Sequence, residues 1–391
     1  MSSKAKFTFL MFLLGMLSAF GPFVTDLYLP ALPNLADYFK ATPSASQLSL
    51  TMSMLGLSIG QLFIGPLSDK YGRKRLLVIC LILFVVGTCA CIYAPDIALF
   101  NAFRLVQGLA ASGGIVIARS VSADSYRGPV LTKFLAMVSA VNGVAPIVAP
   151  VLGGFLLNFM SWKGTFAVLL LYGFVLLFMA GKFQESLPVH RRSQKSILAN
   201  FSLYVKVFRN GEFVRFFAVC TASMIVLFGY IAASPFIFQA LYGLNPIGFS
   251  LCFAMIAFCT AVGCATSGKI GNDRKAIKIA GFGIFVASLA VAACLLTHAP
   301  LPLLQVSFMA TTFMFGLMQP PASALALNAE RKNAGTASAA MGAAGFLMGG
   351  IASPIVGVGD IAVSASIMLV TGGFLTMLFM IIAKSKMPKK G

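Results

Sequence analysis

Gly65-Pro66-Leu67-Ser68-Asp69-Lys70-Tyr71-Gly72-Arg73-Lys74-Arg75 is a short basic stretch between two apolar runs, residues 48–64 and 76–93, and neither run holds a charge. Each run approaches the ~20 apolar residues that an α-helix needs to cross a bilayer. So short a connection between two such runs must lie at a membrane surface. Its four Lys or Arg against one Asp assign it to the cytoplasmic side, where short loops retain basic residues.

Composition extends this reading to the whole chain. Of 391 residues, 59% are hydrophobic and only 10% charged, with a mean hydropathy of +0.93, which excludes an ordinary soluble domain. Apolar runs of helix length, instead of ~10-residue alternating segments, favour a helix bundle over a β-barrel. The net charge of +19 would suggest nucleic acid in a soluble protein. Here the cations are spread among short loops, so no nucleic-acid partner is expected. The eight cysteines fall inside apolar runs with no C-x-x-C and no neighbouring His, so they read as small buried residues, and no metal or cofactor is expected. Lys4 and Lys6 precede an apolar run that continues past Pro22 to Pro33 with no small-residue cleavage site. This is read as a retained first helix.

Twelve spans are predicted, at residues 7–32, 47–66, 75–94, 97–118, 133–157, 163–181, 216–240, 246–267, 276–297, 301–328, 334–357 and 361–383. With both termini cytoplasmic, 26 of the 29 Lys and Arg fall in cytoplasmic segments; Lys40 and Lys163 lie outside and Arg104 within a span. The longest hydrophilic interval, 182–215, is a cytoplasmic linker between an N-terminal six-helix bundle, 1–181, and a C-terminal one, 216–391. Within it, residues 197–208 form either an amphipathic helix on the inner leaflet or a plain tether. The stretch from Gly65 is echoed at Gly268-Lys-Ile-Gly-Asn-Asp-Arg-Lys, 203 residues on. Weak internal symmetry of this kind marks transporters built from repeats, with a substrate site near mid-membrane.

Only two charged residues lie well inside the spans, Asp26 and Arg104. Ionisable groups in a membrane are costly and are functional candidates by default. Counted along their helices at ~1.5 Å per residue, both lie about 9–11 Å below the outer surface, and they can pair. Asp26 then either binds the coupling proton, switched by a movement of Arg104, or forms a fixed ion pair that pins two helices. The Gly and Pro residues at 143, 146, 150, 153 and 154 predict a bent fifth helix. Gly56 and Gly60 form a common packing pattern with no function assigned. Tyr28, Gln107, Asn142, Tyr230, Phe236, Gln239, Met314 and Gln319 are candidate substrate contacts, being aromatic, amide or Met groups near mid-span. Gly263-Cys-Ala-Thr-Ser-Gly268-Lys269-Ile270 mimics a phosphate loop but has Ile270 where Ser or Thr must hold magnesium. With no nucleotide site, the energy source must be an ion gradient.

The stretch Gly65 to Arg75 resembles the G-x-L-x-D-x-x-G-R motif of the major facilitator superfamily. Arg104-Leu-Val-Gln-Gly resembles its R-x-x-Q-G element, and Gly143-Val-Ala-Pro-Ile-Val-Ala-Pro-Val-Leu-Gly-Gly its antiporter motif. Asp26-Leu-Tyr-Leu-Pro-Ala-Leu-Pro is similar to the first-helix element of drug:proton antiporters, most closely the Bcr/CflA-type multidrug branch. The resemblance implies an all-α membrane protein with twelve transmembrane helices in two pseudo-symmetric six-helix bundles, resident in the bacterial inner membrane as a monomer. It implies proton-coupled efflux of small lipophilic compounds, with Asp26 and Arg104 in proton transfer. It also implies a gate of Gly65, Asp69, Gly72 and Arg73, in which Asp69 meets Arg119 and the N-terminal end of span eleven near residues 335–338. Gly143, Pro146, Pro150, Gly153 and Gly154 would close the cytoplasmic side. The alternative is a proton symporter or facilitator for one nutrient or metabolite on the same fold. An enzyme is not expected, because His190 and His298 fall in loops and no catalytic pairing is present.

Overall fold

Helices are the only extended regular elements in the computed structural model, which describes residues 3–125, 141, 144–192 and 197–385. Among these residues, eleven helical stretches are long and apolar enough to cross a membrane. The fifth predicted span is described only in its second half, a helix over Val144–Leu156. Gly143 and Asn142 lie outside the described residues.

The first span is not one helix. It comprises α1 (Ser3–Ser18), α2 (Phe20–Asp26), a 3-10 turn at Leu29–Ala31 and α3 (Leu32–Tyr38). Proline causes this. In a continuous helix the carbonyls of Ser18, Asp26 and Leu29 would bond the N–H groups of residues 22, 30 and 33, and all three are Pro. The chain therefore breaks on either side of α2 and leaves its last carbonyls in need of partners.

The remaining helices of the first half are α4 (Pro43–Tyr71), α5 (Arg73–Ile92), α6 (Ile97–Ser125), α7 (Val144–Leu156) and α8 (Trp162–Lys182). The basic stretch expected as a loop is mostly helix. α4 runs to Tyr71 and α5 begins at Arg73, with Gly72 alone between them at φ +98°. A left-handed φ stops one helix and redirects the chain within a single residue.

The second half holds α9 (Ile197–Phe208), α10 (Gly211–Pro235), α11 (Pro246–Lys269), α12 (Asp273–Leu296), α13 (Leu301–Ala329), α14 (Ala334–Val356) and α15 (Ile361–Ser385). Of the two alternatives for 197–208, helix or plain tether, the chain forms the helix, α9. Its Val207 is buried, and Phe208 packs edge-on to Phe213 and Phe217. Asn210 caps α10 by accepting from the N–H groups of Glu212 and Phe213, and donates to Glu330. α10 continues past Pro235 as a wider π turn over Phe236–Leu241.

By packing, the chain divides into two units, Met1–Ala41 with Met52–Asn200, and Thr42–Thr51 with Phe201–Gly391. In the first unit, α4 and α6 meet backbone to backbone. A Cβ on Gly56 would strike the Leu105 carbonyl, and one on Gly108 the Ser53 carbonyl. In the second unit the same reciprocal contact joins α11 and α13, where Gly263 faces the Phe313 carbonyl and Gly316 the Thr260 carbonyl. Gly56 and Gly263 stand 207 residues apart, and Gly108 and Gly316 stand 208 apart. This small-residue contact is the firmest mark of internal repetition, and the GxxxG pattern that carried no function is one half of it. The first turns of α4 belong to the second unit, where Gln47 donates to the Ala232 carbonyl (3.3 Å) and accepts Ser353 on its own carbonyl (3.1 Å).

Candidate functional site

α2 ends at Asp26, and the guanidinium of Arg104 reaches its frayed end from α6. One Arg104 Nη donates to the Val24 carbonyl (2.9 Å) and to Ser53 Oγ on α4 (3.0 Å), and the other donates to Gln107 Oε1. A cation at a helix C-terminus meets the negative end of the helix dipole, so Arg104 caps the break that proline made. Tyr28 lies under the guanidinium with its ring centre 4.2 Å from Cζ, and Phe166 of α8 lies 5.5 Å away. These rings replace part of the lost hydration by cation–π attraction. Gln107 passes the network on, donating to Thr88 Oγ1 (2.7 Å), which donates to the Phe84 carbonyl (2.7 Å). Arg104 is wholly buried, and its Nε–H has no partner among the described residues.

Asp26 is also buried, but it does not pair with Arg104. The three ion pairs among the described residues are Arg73–Asp69, Arg73–Asp124 and Arg192–Glu185. The partner of Asp26 is its neighbour Thr25, whose Oγ1 stands 2.7 Å from Oδ1 and 2.9 Å from the Gly21 carbonyl. One hydroxyl proton thus faces two acceptors when the carboxyl is ionised. With Asp26 protonated, the carboxyl donates to Thr25 and the hydroxyl is free for Gly21, so both contacts are satisfied. The expected pairing fails for a simple reason. Both Nη groups of Arg104 are turned to the Val24 carbonyl, Ser53 and Gln107 instead.

α7 abuts the same break. A Cβ on Gly153 would overlap the Leu27 carbonyl, one residue after Asp26, so only glycine lets the helices approach this closely. Pro150, Gly153 and Gly154 are buried, while Pro146 is half-buried. On α8, Tyr172 donates to the Met16 carbonyl (2.6 Å) at the other break and stacks on Phe23.

The Gly65 to Arg75 stretch forms a second polar centre. Arg73 is buried and bonds Asp69 (2.6 Å), Asp124 of α6 (3.0 Å) and Ser68. The first N–H groups of α5, those of Arg73 and Lys74, donate to the two carboxylate oxygens of Glu185 at 3.0 and 3.2 Å. An acid at a helix N-terminus satisfies orphan donors and suits the dipole. Arg192 approaches Glu185 at 3.8 Å, Ser186 donates to Asp124 (3.2 Å), and Lys74 Nζ donates to the Gly181 carbonyl (2.8 Å). Arg119 takes no part in an ion pair among the described residues; Asp69 is held by Arg73, one helical turn away, instead. The two motif glycines differ. A Cβ on Gly72 would stand 2.6 Å from Glu185 Oε2, whereas one on Gly65 meets only Val116 at 3.8 Å.

Glu185, Asp124 and Arg192 were not expected at this centre, nor Thr25, Ser53 and Thr88 at the first. Asp124 and Glu185 did carry a signal, as acids in strongly basic segments of a chain with only ten acids.

The expected cavity residues divide. Tyr28 and Gln107 form the shell of Arg104. In the second unit, buried Tyr230 stacks on Phe253 (5.4 Å) and meets Phe308 at a tilt (5.0 Å), and buried Phe236 opens the π turn that also holds Gln239. Gln319 donates to Ser223 Oγ (2.9 Å) and the Cys220 carbonyl (3.3 Å). Met314 packs over Gly283, joining α13 to α12.

The family profile described as Major Facilitator Superfamily matches residues 8–354. An uncharacterized MFS-type transporter of Bacillus subtilis is 34% identical over 90% of this chain and 89% of its own length. A bicyclomycin resistance protein homolog of Haemophilus influenzae is 27% identical over 65% of this chain and 64% of its own length. The multidrug resistance protein MdtL of Salmonella paratyphi C is 26% identical over 59% of this chain and 58% of its own length. Among solved structures, a partially occluded inward-open form of the E. coli xylose transporter XylE superposes with a TM-score of 0.77 at 13% identity, covering 99% of both chains.

Proposed function

Because this chain belongs to the major facilitator superfamily, and is therefore a multi-pass membrane transporter and not an enzyme, we propose that it exports small lipophilic compounds in exchange for protons. Export works by alternating access across the bacterial inner membrane, with both termini cytoplasmic and the monomer as the working unit. Asp26 carries the proton. The observation behind this reading is a buried carboxyl with a hydroxyl partner and no cation, set at a proline-made break in the first span. Loading and unloading a proton there rearranges the bonds of Thr25 and Gly21, and so alters the end of α2. Arg104 holds the end of α2 through the Val24 carbonyl in both states. α7, resting on Leu27 through Gly153, transmits the change at the break to its own packing. Efflux of drug-like compounds is favoured over uptake of one nutrient by the bicyclomycin and multidrug resistance proteins among the relatives. The xylose transporter shares the fold at too low an identity to argue for sugar. The aromatic and Met-rich second unit, including Tyr230, Phe236, Gln239 and Gln319, supplies the adaptable surface for the compound.

The test uses inside-out vesicles carrying the wild type or Asp26→Asn, with an imposed proton gradient and a panel of lipophilic cations and neutral drugs. Gradient collapse on adding a compound is expected for the wild type and not for the variant. Equal collapse in both would remove Asp26 from the coupling path.

A further inference from the structure

The four cations of the Gly65 to Arg75 stretch have different fates. Arg73 is buried and engaged with two acids, and Lys74 is tied to the Gly181 carbonyl. Arg75 is exposed and makes neither hydrogen bond nor ion pair among the described residues. Lys70, which follows Asp69, rests its ammonium 5.6 Å from the ring centre of Tyr71 and makes no ion pair among the described residues. Beside Arg75 lies a notch of about 270 Å³ lined by Leu67, Tyr71, Arg75, Leu76 and Ile79. Its walls are apolar apart from Arg75 and the Tyr71 hydroxyl.

We propose that this notch binds one anionic phospholipid, with the phosphate on Arg75 and an acyl chain lying over Leu76 and Ile79. Position supports the assignment, because the spans Pro43–Tyr71 and Arg73–Ile92 meet here, so the notch opens where bilayer gives way to water. From Ile79 the exposed apolar side chains of Ile82 and Val86 continue along one face of α5, a path for the chain into the bilayer. Juxtamembrane cations draw anionic headgroups, and the apolar walls select a lipid over a soluble phosphate. A second notch farther along α5, about 340 Å³ and lined by residues such as Val86, Cys89 and Phe174, holds no cation. Any acyl chain could rest there, but it offers a headgroup nothing. The inference is independent of the exported compound.

Native mass spectrometry of the full-length protein in detergent, titrated with phosphatidylglycerol or phosphatidylcholine, tests the proposal. The wild type is expected to retain one phosphatidylglycerol at concentrations where phosphatidylcholine is lost. Arg75→Gln should weaken that retention about tenfold, and Ile79→Trp, which fills the notch without touching the charge, should weaken it as well. Arg274→Gln, which removes an exposed cation of the second half, should leave it unchanged. Undiminished retention by Arg75→Gln would overturn the site, as would equal loss in Arg274→Gln, which signals general charge attraction. Displacement of the lipid by glycerol phosphate alone would mean a soluble-anion site and would also overturn it. Arg75 is exposed and unbonded, so its variant folds, and its thermal midpoint serves as the control.

Discussion

Asp26 and Arg104 are both buried charges inside spans, yet the bonds around them assign opposite burdens. Arg104 has the Val24 carbonyl, Ser53 Oγ, Gln107 Oε1 and two aromatic rings as partners, so removing its guanidinium leaves several buried groups without partners. Lysine cannot replace it, because a compact ammonium lacks the fork that reaches separate acceptors. Arg104→Lys should therefore lower stability by about 2–4 kcal/mol, since a hydrogen bond to a charged group contributes about 1.5–3 kcal/mol. Asp26→Asn keeps the shape and a bond to Thr25, so it should shift stability by less than about 1 kcal/mol while abolishing coupling. Thermal unfolding in detergent read beside vesicle transport separates the two. A comparable loss of stability in both variants would show a structural pin and sink the coupling role. Both residues were legible in the sequence because charge inside an apolar span stands out. Their partners were not, since Thr25, Ser53 and Thr88 are ordinary span residues and only the fold selects them.

Helix ends set the next scale, and Gly72 is its clearest case. Two conditions require glycine there, a φ of +98° and the Glu185 carboxylate that a Cβ would meet at 2.6 Å. Gly72→Ala should cost about 1–3 kcal/mol through backbone strain alone, with further loss as Glu185 is pushed off the α5 N-terminus. Gly65 sits within α4 with room around it, so Gly65→Ala should be neutral or stabilising by up to about 1 kcal/mol. Thermal midpoints of the two variants check the contrast; equal destabilisation would mean that the local geometry is not what the motif preserves. The sequence marked both glycines alike, because a motif records position and not φ. Glu185 escaped notice for a related reason: it lies more than a hundred residues from the N–H groups it caps, and no local pattern predicts such a bond. Pro22, Pro30 and Pro33 were in plain view, but the apolar run around them read as one span because hydropathy ignores the missing N–H groups.

Across the whole molecule, the two halves share a packing scheme and differ in chemistry. The reciprocal glycine contact of α4 with α6 recurs in α11 with α13, yet the residue 208 positions after Arg104 is Thr312, which bonds carbonyls of its own neighbourhood. Hydropathy and basic loops revealed the repeat count and the spacing of the halves, while the matching backbone contacts stayed hidden because single glycines are common in membrane helices. The shared scheme makes a prediction that symmetry alone dictates. In both Gly108→Ala and Gly316→Ala the new Cβ overlaps a carbonyl oxygen of the facing helix, the Ser53 carbonyl in one case and the Thr260 carbonyl in the other. Overpacking of this kind costs about 1–3 kcal/mol, so the two variants should lose similar stability in detergent melts. Their transport should differ, because Gly108 adjoins Gln107 and moves the shell of Arg104, whereas Gly316 lies in the half with no buried charge at the equivalent position. Proton-driven export, corrected for the amount of folded protein, should fall further in Gly108→Ala. If Gly316→Ala loses coupling as severely as Gly108→Ala, proton handling cannot be confined to the first half, and the asymmetry argued from Asp26 and Arg104 fails with it.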